Sequence, residues 1–321
     1  MILQTKIPIP KQPNNLIDYN SNLLLLGSCF SENIGDKFSY YKFQSYQNPF
    51  GILFHPKAIE NLIQNSVHQK EYTEEDLFFL NECWNCFDVH SNLSSDNKIE
   101  LLKNLNKKIQ ETYTHIQNAS HIIITLGTSW VYNHKQKNET VANCHKVPQK
   151  EFSKEILSTD EITESLARIY QLIESINSET KIIFTVSPVR HIKDGFVENQ
   201  RSKSHLISAI HQLLSNQESN SKLKIEYFPS YEIMMDELRD YRFYNEDMIH
   251  PNKIAIQYIW KKFINTWISD EAQQTIQKVE EIQKGLNHKP FNPNSEAHLK
   301  FLKNLAQKKE TLIKAFPHIS F

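Results

Sequence analysis

The sequence predicts an α/β fold built on a mainly parallel sheet, and three observations predict it. Short apolar runs of strand length alternate with longer stretches whose apolar residues recur at helical spacing. Two of those runs end in glycine, Gly27 and Gly127, in a chain with only six glycines. Average usage of about 7% would give roughly 22. So sparing a chain keeps glycine mainly where a side chain does not fit, here at turns from strand to loop. The length, 321 residues, allows one large α/β domain with appendages or two small domains.

Taken in order, residues 23–26 (four leucines) read as a buried strand closed by Gly27. Residues 32–43 read as the following helix, with Ile34, Phe38 and Tyr41 at helical spacing. Pro56 opens a helix carrying Ile59, Leu62, Ile63 and Val67 on one face, and proline suits a first turn. Leu101, Leu102, Leu105, Ile109, Tyr113 and Ile116 form an amphipathic helix leading into a strand at 122–126. A helix at 162–176 precedes a strand at 181–186 that ends in Ser187-Pro188. A helix at 206–214 precedes a strand at 223–228. Residues 231–238 read as an amphipathic helix rather than a carboxylate pair. Pro251 starts a helix with Ile254, Tyr258, Ile259 and Phe263. The pattern then divides the chain into a domain at 1–267 and a helical C-terminal extension at 268–321. The extension holds two charged helices, 271–286 and 295–316, around the breaker at 288–293. Three roles are open to it: packing on the core, covering the site, or mediating association.

Composition is that of an ordinary globular chain, 39% hydrophobic and 23% charged. A net charge of −1 favours neither a nucleic-acid surface nor an anionic membrane. No run approaches the roughly 18 apolar residues of a membrane span. Residues 1–13 have no cationic segment followed by an apolar one, so they do not read as a secretory signal. The expectation is a cytoplasmic protein with four reduced cysteines. The abundance of Asn, Lys and Ile points to an AT-rich bacterial genome.

Nucleophile-type residues, Ser28-Cys29, follow the first predicted strand, and Asp247-Met248-Ile249-His250-Pro251 stands near the other end. With the glycine turns, these suggest acyl-transfer chemistry. Gly27-Ser28-Cys29-Phe30-Ser31 closely resembles the motif Gly-Ser-Cys-Phe-Ala that names the GSCFA family, Ser31 being the one departure. Asn48-Pro49-Phe50-Gly51, the stretch from Val141 through Asn143-Cys144-His145 to Pro148, and Ser187-Pro188-Val189-Arg190-His191 look like the same family. The resemblance spans about residues 20–265. That family is similar to SGNH (GDSL-type) hydrolases. This implies a three-layer α/β/α sandwich, flavodoxin-like in its parallel sheet, and esterase or acyltransferase chemistry. The implied substrate is an acylated carbohydrate or other small ester, with no metal or redox cofactor.

SGNH enzymes place a serine two residues after the glycine that ends the first strand; counted without a gap, that position here is Cys29. A thiolate at a helix N-terminus gains from the dipole and free N–H groups. Alternatively Cys29 is a small buried space-filler. Ser28 is the rival nucleophile, or a helix cap. Asp247 and His250 have the Asp-x-x-His spacing by which an aspartate holds an imidazole tautomer while the other nitrogen faces the nucleophile. Alternatively Asp247 caps the next helix and His250 is a surface residue. The resemblance implies three oxyanion donors: the N–H of Cys29, the N–H of Gly51 and a side chain near Gly127. SGNH enzymes carry Gly-x-Asn at the third point, whereas this chain has Gly127-Thr128-Ser129, leaving only the Ser129 hydroxyl. Gly51 is otherwise a plain turn. Asn48, His145, Arg190 and His191 are candidate substrate contacts. Arg190 either grips an anionic group, such as the phosphate of a coenzyme A donor, or forms a surface salt bridge. Cys83-Trp84-Asn85-Cys86 lacks the further ligands of a zinc site and the context of a redox motif. The functions left open are acyl hydrolysis or transfer, a CoA-dependent acyltransferase, and a degenerate domain that binds a glycan or partner without turnover.

Overall fold

The computed structural model describes residues 5–216 and 223–321; the first four residues of the start read above lie outside it. The leucine run becomes strand β1 (Asn22–Gly27), followed by helix α1 (Cys29–Tyr40) and strand β2 (Gln44–Gln47). Helix α2 (Pro56–Val67), the hairpin β3 (Leu77–Leu80) and β4 (Cys83–Cys86), and helix α3 (Lys98–Asn118) lead to β5 (His121–Leu126). Strands β6 (Trp130–His134), β7 (Glu139–Val141) and β8 (Phe152–Ile156) precede α4 (Thr159–Ile176) and β9 (Lys181–Val186). Then come α5 (Phe196–Ser215), β10 (Lys224–Phe228) and the short α6 (Ser230–Glu232), which runs into a π-turn at Ile233–Leu238. Helices α7 (Lys253–Trp267), α8 (Asp270–Leu286) and α9 (Glu296–Ala315) complete the chain.

Five strands pair in the order β10-β9-β5-β1-β2, every pair parallel. Side chains alternate across a strand, so each apolar run serves two cores. Leu24, Leu26, Ile122, Ile124, Ile182 and Phe184 face one cluster with the inner stripes of α2, α3, α4 and α5. Leu23, Leu25, Ile123 and Ile183 face the other with α1, α7 and α8. This is a three-layer α/β/α sandwich, and burial on both faces is why the strands read as unbroken apolar runs. The C-terminal helices are part of it: Ala272, Ile276, Val279, Ile282, Leu305 and Leu312 lie in the same cluster as Tyr19, Phe38 and Trp260. Packing on the core is thus one of its roles.

Several elements differ from the sequence reading, each for a local reason. Helix α1 starts at Cys29 rather than 32, because Ser28 caps it: its Oγ accepts from the Phe30 N–H at 3.3 Å. Helix α5 starts ten residues before 206, because the buried positions of its first two turns, Asn199, Ser202 and Lys203, are polar and give no apolar pattern. Helix α7 starts at Lys253 rather than Pro251, since the Asn252 side chain accepts from the N–H groups of Ile254 and Ala255. The helix read at 231–238 is mostly a π-turn. Strand β2, Gln-Ser-Tyr-Gln, has no apolar signature because it is an edge strand, and the antiparallel sheets β3-β4 and β7-β6-β8 went unread.

Candidate active site

In an open parallel sheet the ligand edge lies beyond the C-terminal strand ends, where the strand order reverses. Here that point is between β1 and β5, whose ends meet at Gly27↔Thr125. Gly27 is required: its φ is +134°, and a β-carbon on it would lie 2.1 Å from the Thr125 carbonyl oxygen. The chain then turns, with the Ser28 N–H donating to the Thr125 carbonyl at 3.0 Å. Cys29 becomes the first residue of α1, half-buried and free of any disulfide. Burial pushes its thiol pKa up, helped by the Glu32 carboxylate one turn on; Lys203 and the N–H groups of Phe30 and Cys29 act the other way. Ser28 itself is buried, its hydroxyl engaged as the cap.

The Asp247–His250 pair forms on the loop before α7. His250 Nδ1 lies 2.6 Å from Asp247 Oδ2, and Asp247 Oδ1 accepts from the N–H groups of Ile249 (2.8 Å) and His250 (3.0 Å). These bonds, that of the His250 N–H first, hold the Asp247 carboxyl down to about 2. An ionised carboxylate only accepts, so Nδ1 carries the hydrogen and Nε2 of the neutral ring is left as an acceptor. Both side chains are 44% exposed. The loop is strained at Met248, φ +56°.

Arg190 packs against the same loop. Its guanidinium stacks 4.4 Å from the Tyr244 ring centroid and 5.3 Å from that of Tyr241, and donates to the Met248 carbonyl. Its backbone N–H donates to the Ile249 carbonyl at 3.3 Å. Among the described residues it forms no salt bridge; it fastens the loop that carries His250.

Two of the three expected oxyanion donors are engaged within the fold. The Gly51 N–H donates to the Asn48 carbonyl at 2.8 Å, closing a turn in which Asn48 and Gly51 both have positive φ. Ser129 is wholly buried, and its hydroxyl donates to the Ser202 carbonyl at 3.3 Å. The Ser202 hydroxyl takes up the Ser129 N–H at 2.8 Å and meets Thr128 Oγ1 at 2.9 Å. The Cys29 N–H, at the first helical position, is the one left by geometry. Asn48 accepts from the Gly27 N–H through Oδ1 at 2.9 Å, while its buried Nδ2 has no partner. His145 is turned elsewhere: Nε2 bonds the Val89 carbonyl at 3.0 Å, and the ring packs on Phe78 and Phe87.

His191 and Lys203 are two further buried titratable groups beyond the strand ends. Burial, with Lys203 and His250 acting in the same direction, pushes His191 down to about 3 and keeps it neutral. Its Nε2, buried and without a partner, lies 3.3 Å from where a β-carbon on Gly127 would stand. Lys203 has no exposed surface; its Nζ donates to the carbonyls of Gly127 (2.6 Å) and Ser187 (2.8 Å), just beyond the ends of β5 and β9. Burial pushes it down to about 7, against a raising influence of Cys29. The electrostatic neighbours thus run Cys29, Lys203, His191, His250. Lys203 was missed in the sequence, yet a signal existed: it shares the stripe of Leu206, Ile210 and Leu213 on α5, where a lysine is out of place. The clefts of about 550 Å³ beside α2 and 560 Å³ between α8 and α9 include none of these residues. No helix among the described residues is long and apolar enough to cross a membrane.

A family model described as GSCFA family matches residues 22–263, and one described as GSCFA domain protein, C-terminal domain, matches 279–321. No curated protein matches the chain. Similar solved structures include a carbohydrate esterase family 3 protein from Talaromyces cellulolyticus, at TM-score 0.37 and 9% identity over 81% of this chain and 99% of that one. Another is an acetyl esterase mutant with an acetate ion, at TM-score 0.37 and 11% identity over 82% and 99%.

Proposed function

The chain belongs to the GSCFA family, and from that membership we propose that it hydrolyses or transfers an acyl group through a thioester on Cys29. His250 is the base and then the acid, and Asp247 the residue that orients it. The observation that carries this reading is the hydrogen-bonded Asp247–His250 pair, which leaves Nε2 as an acceptor. In the forward step Cys29 Sγ attacks the acyl carbon and its proton passes to Nε2. The bond to the leaving alcohol or thiol breaks, and Nε2 returns the proton to it. Water or a second acceptor then attacks the thioester, again giving its proton to Nε2, and the C–S bond breaks to restore the thiol. The substrate class, carried over from the SGNH resemblance, is an acylated carbohydrate or other small ester. With a single oxyanion donor clear by geometry, activated donors such as aryl esters and thioesters suit this site better than alkyl esters.

A second reading, a domain that binds a glycan or partner without turnover, draws on the engaged Gly51 N–H and Ser129 hydroxyl. Intact-mass detection of an acyl adduct after incubation with aryl esters, thioesters and acyl-CoA separates the two. The expected adduct sits on Cys29, is absent in Cys29→Ala and persists in Ser28→Ala. An adduct lost in Ser28→Ala and kept in Cys29→Ala would reverse the nucleophile assignment. No adduct from any donor, with an inert Cys29, would favour binding.

A further inference from the structure

A fully buried ammonium without an anion is costly, and carbonyl partners supply hydrogen bonds but no net charge. Lys203 is in that position. Its two acceptors are the Gly127 and Ser187 carbonyls, and among the described residues no carboxylate forms an ion pair with it. An ammonium has three N–H bonds, so one remains beyond those two acceptors. The other groups facing Lys203 are the Tyr231 ring, centred 5.7 Å away, the neutral His191 and Cys29. Burial drives the Tyr231 phenol up, away from ionisation. Cys29 is therefore the neighbour most readily turned into an anion. It follows the strand next to the one whose end Lys203 grips, at the start of α1, and Gly127 and Cys29 each lie two residues beyond the paired Thr125 and Gly27.

We propose that Lys203 is the counter-charge of the Cys29 thiolate: a positioning residue, built into the floor of the sheet edge, that favours the anion when the thiol gives up its proton. The proton goes to His250 Nε2 as above; Lys203 keeps its own, and the two charges hold each other in a place that would otherwise reject both. Glu32, on the helix that begins at Cys29, opposes the thiolate, which makes a compensating cation necessary. This rests on reading Cys29 as the nucleophile, but its test uses no acyl donor, so the two ideas fail separately.

The test is the ionisation of Cys29, followed by thiolate absorbance near 240 nm against pH, with Cys29→Ala as the blank, in the wild type and in Lys203→Met. Loss of a nearby cation should raise the Cys29 midpoint by about one pH unit or more, a tenfold drop in thiolate at a given pH below it. A midpoint unmoved in folded Lys203→Met would overturn the proposal. Should Lys203→Met fail to fold, the coupling is readable from the other side, because it is reciprocal. In protein labelled with carbon-13 lysine, the Lys203 midpoint should fall by about the same amount in Cys29→Ala as the anion is removed. Equal Lys203 midpoints in the two proteins would equally overturn it.

Discussion

At the scale of single residues, Asp247 shows how little machinery positions an imidazole. Its two oxygens take three hydrogen bonds from the four-residue turn it begins, and the carboxyl is held down to about 2. The sign follows: a depressed carboxyl contributes above its unfolded value and loses that contribution only as pH falls through about 2. An acid limb of turnover above about pH 4 therefore does not report Asp247. Asp247→Asn should leave the fold intact while reducing kcat by about 10³–10⁴-fold, because an amide does not enforce the tautomer. Steady-state rates with an activated ester measure this, and a change under about tenfold would remove Asp247 from the mechanism.

At the scale of elements, α5 decides what the turn after β5 can do. Its Ser202 hydroxyl accepts the Ser129 N–H, and its Ser202 carbonyl accepts the Ser129 hydroxyl, so the turn is sewn to the helix. Ser202→Ala should cost about 1–3 kcal/mol in urea unfolding, the penalty of a buried N–H left unsatisfied. A loss under about 0.5 kcal/mol would mean that the turn repacks at no cost. The same helix marks where the sequence was legible and where it was not. Leu206, Ile210 and Leu213 announce its apolar stripe, but its first two turns, Phe196 to Lys203, do not. There an exposed Phe196 and Val197 precede polar residues whose burial is set by tertiary contacts. The central strands were legible because both faces are buried, and motif and spacing single out Cys29, Asp247 and His250 as candidates. Lys203 was not, since its partners are backbone carbonyls, which leave no trace in composition. The roles expected of Gly51 and Ser129 failed to foresee hydrogen bonds that only the folded turn and helix supply.

At the scale of the whole molecule, the helices beyond residue 268 complete one of the two cores rather than forming a unit of their own. Val279 and Ile282 are buried with Trp260 and Trp267, and the Ser269 N–H donates to the Ile17 carbonyl at 3.0 Å. Removing α8 and α9 should therefore abolish cooperative unfolding, exposing the apolar face of α7 to water. A truncated chain ending at 268 that still melts in one sharp transition, followed by tryptophan fluorescence, would show the extension to be separable. The strand order has a consequence for biosynthesis. Of the five strands, β1, one in from the edge of the sheet, is made before the others, and only its outer neighbour β2 follows promptly. Its inner edge waits for β5, about a hundred residues later, and the histidine that would serve Cys29 emerges later still. A nascent chain thus carries an exposed, sticky leucine edge beside an unattended thiol through most of its synthesis. Chaperone capture and adventitious oxidation should both concentrate there, before the finished molecule seals the edge.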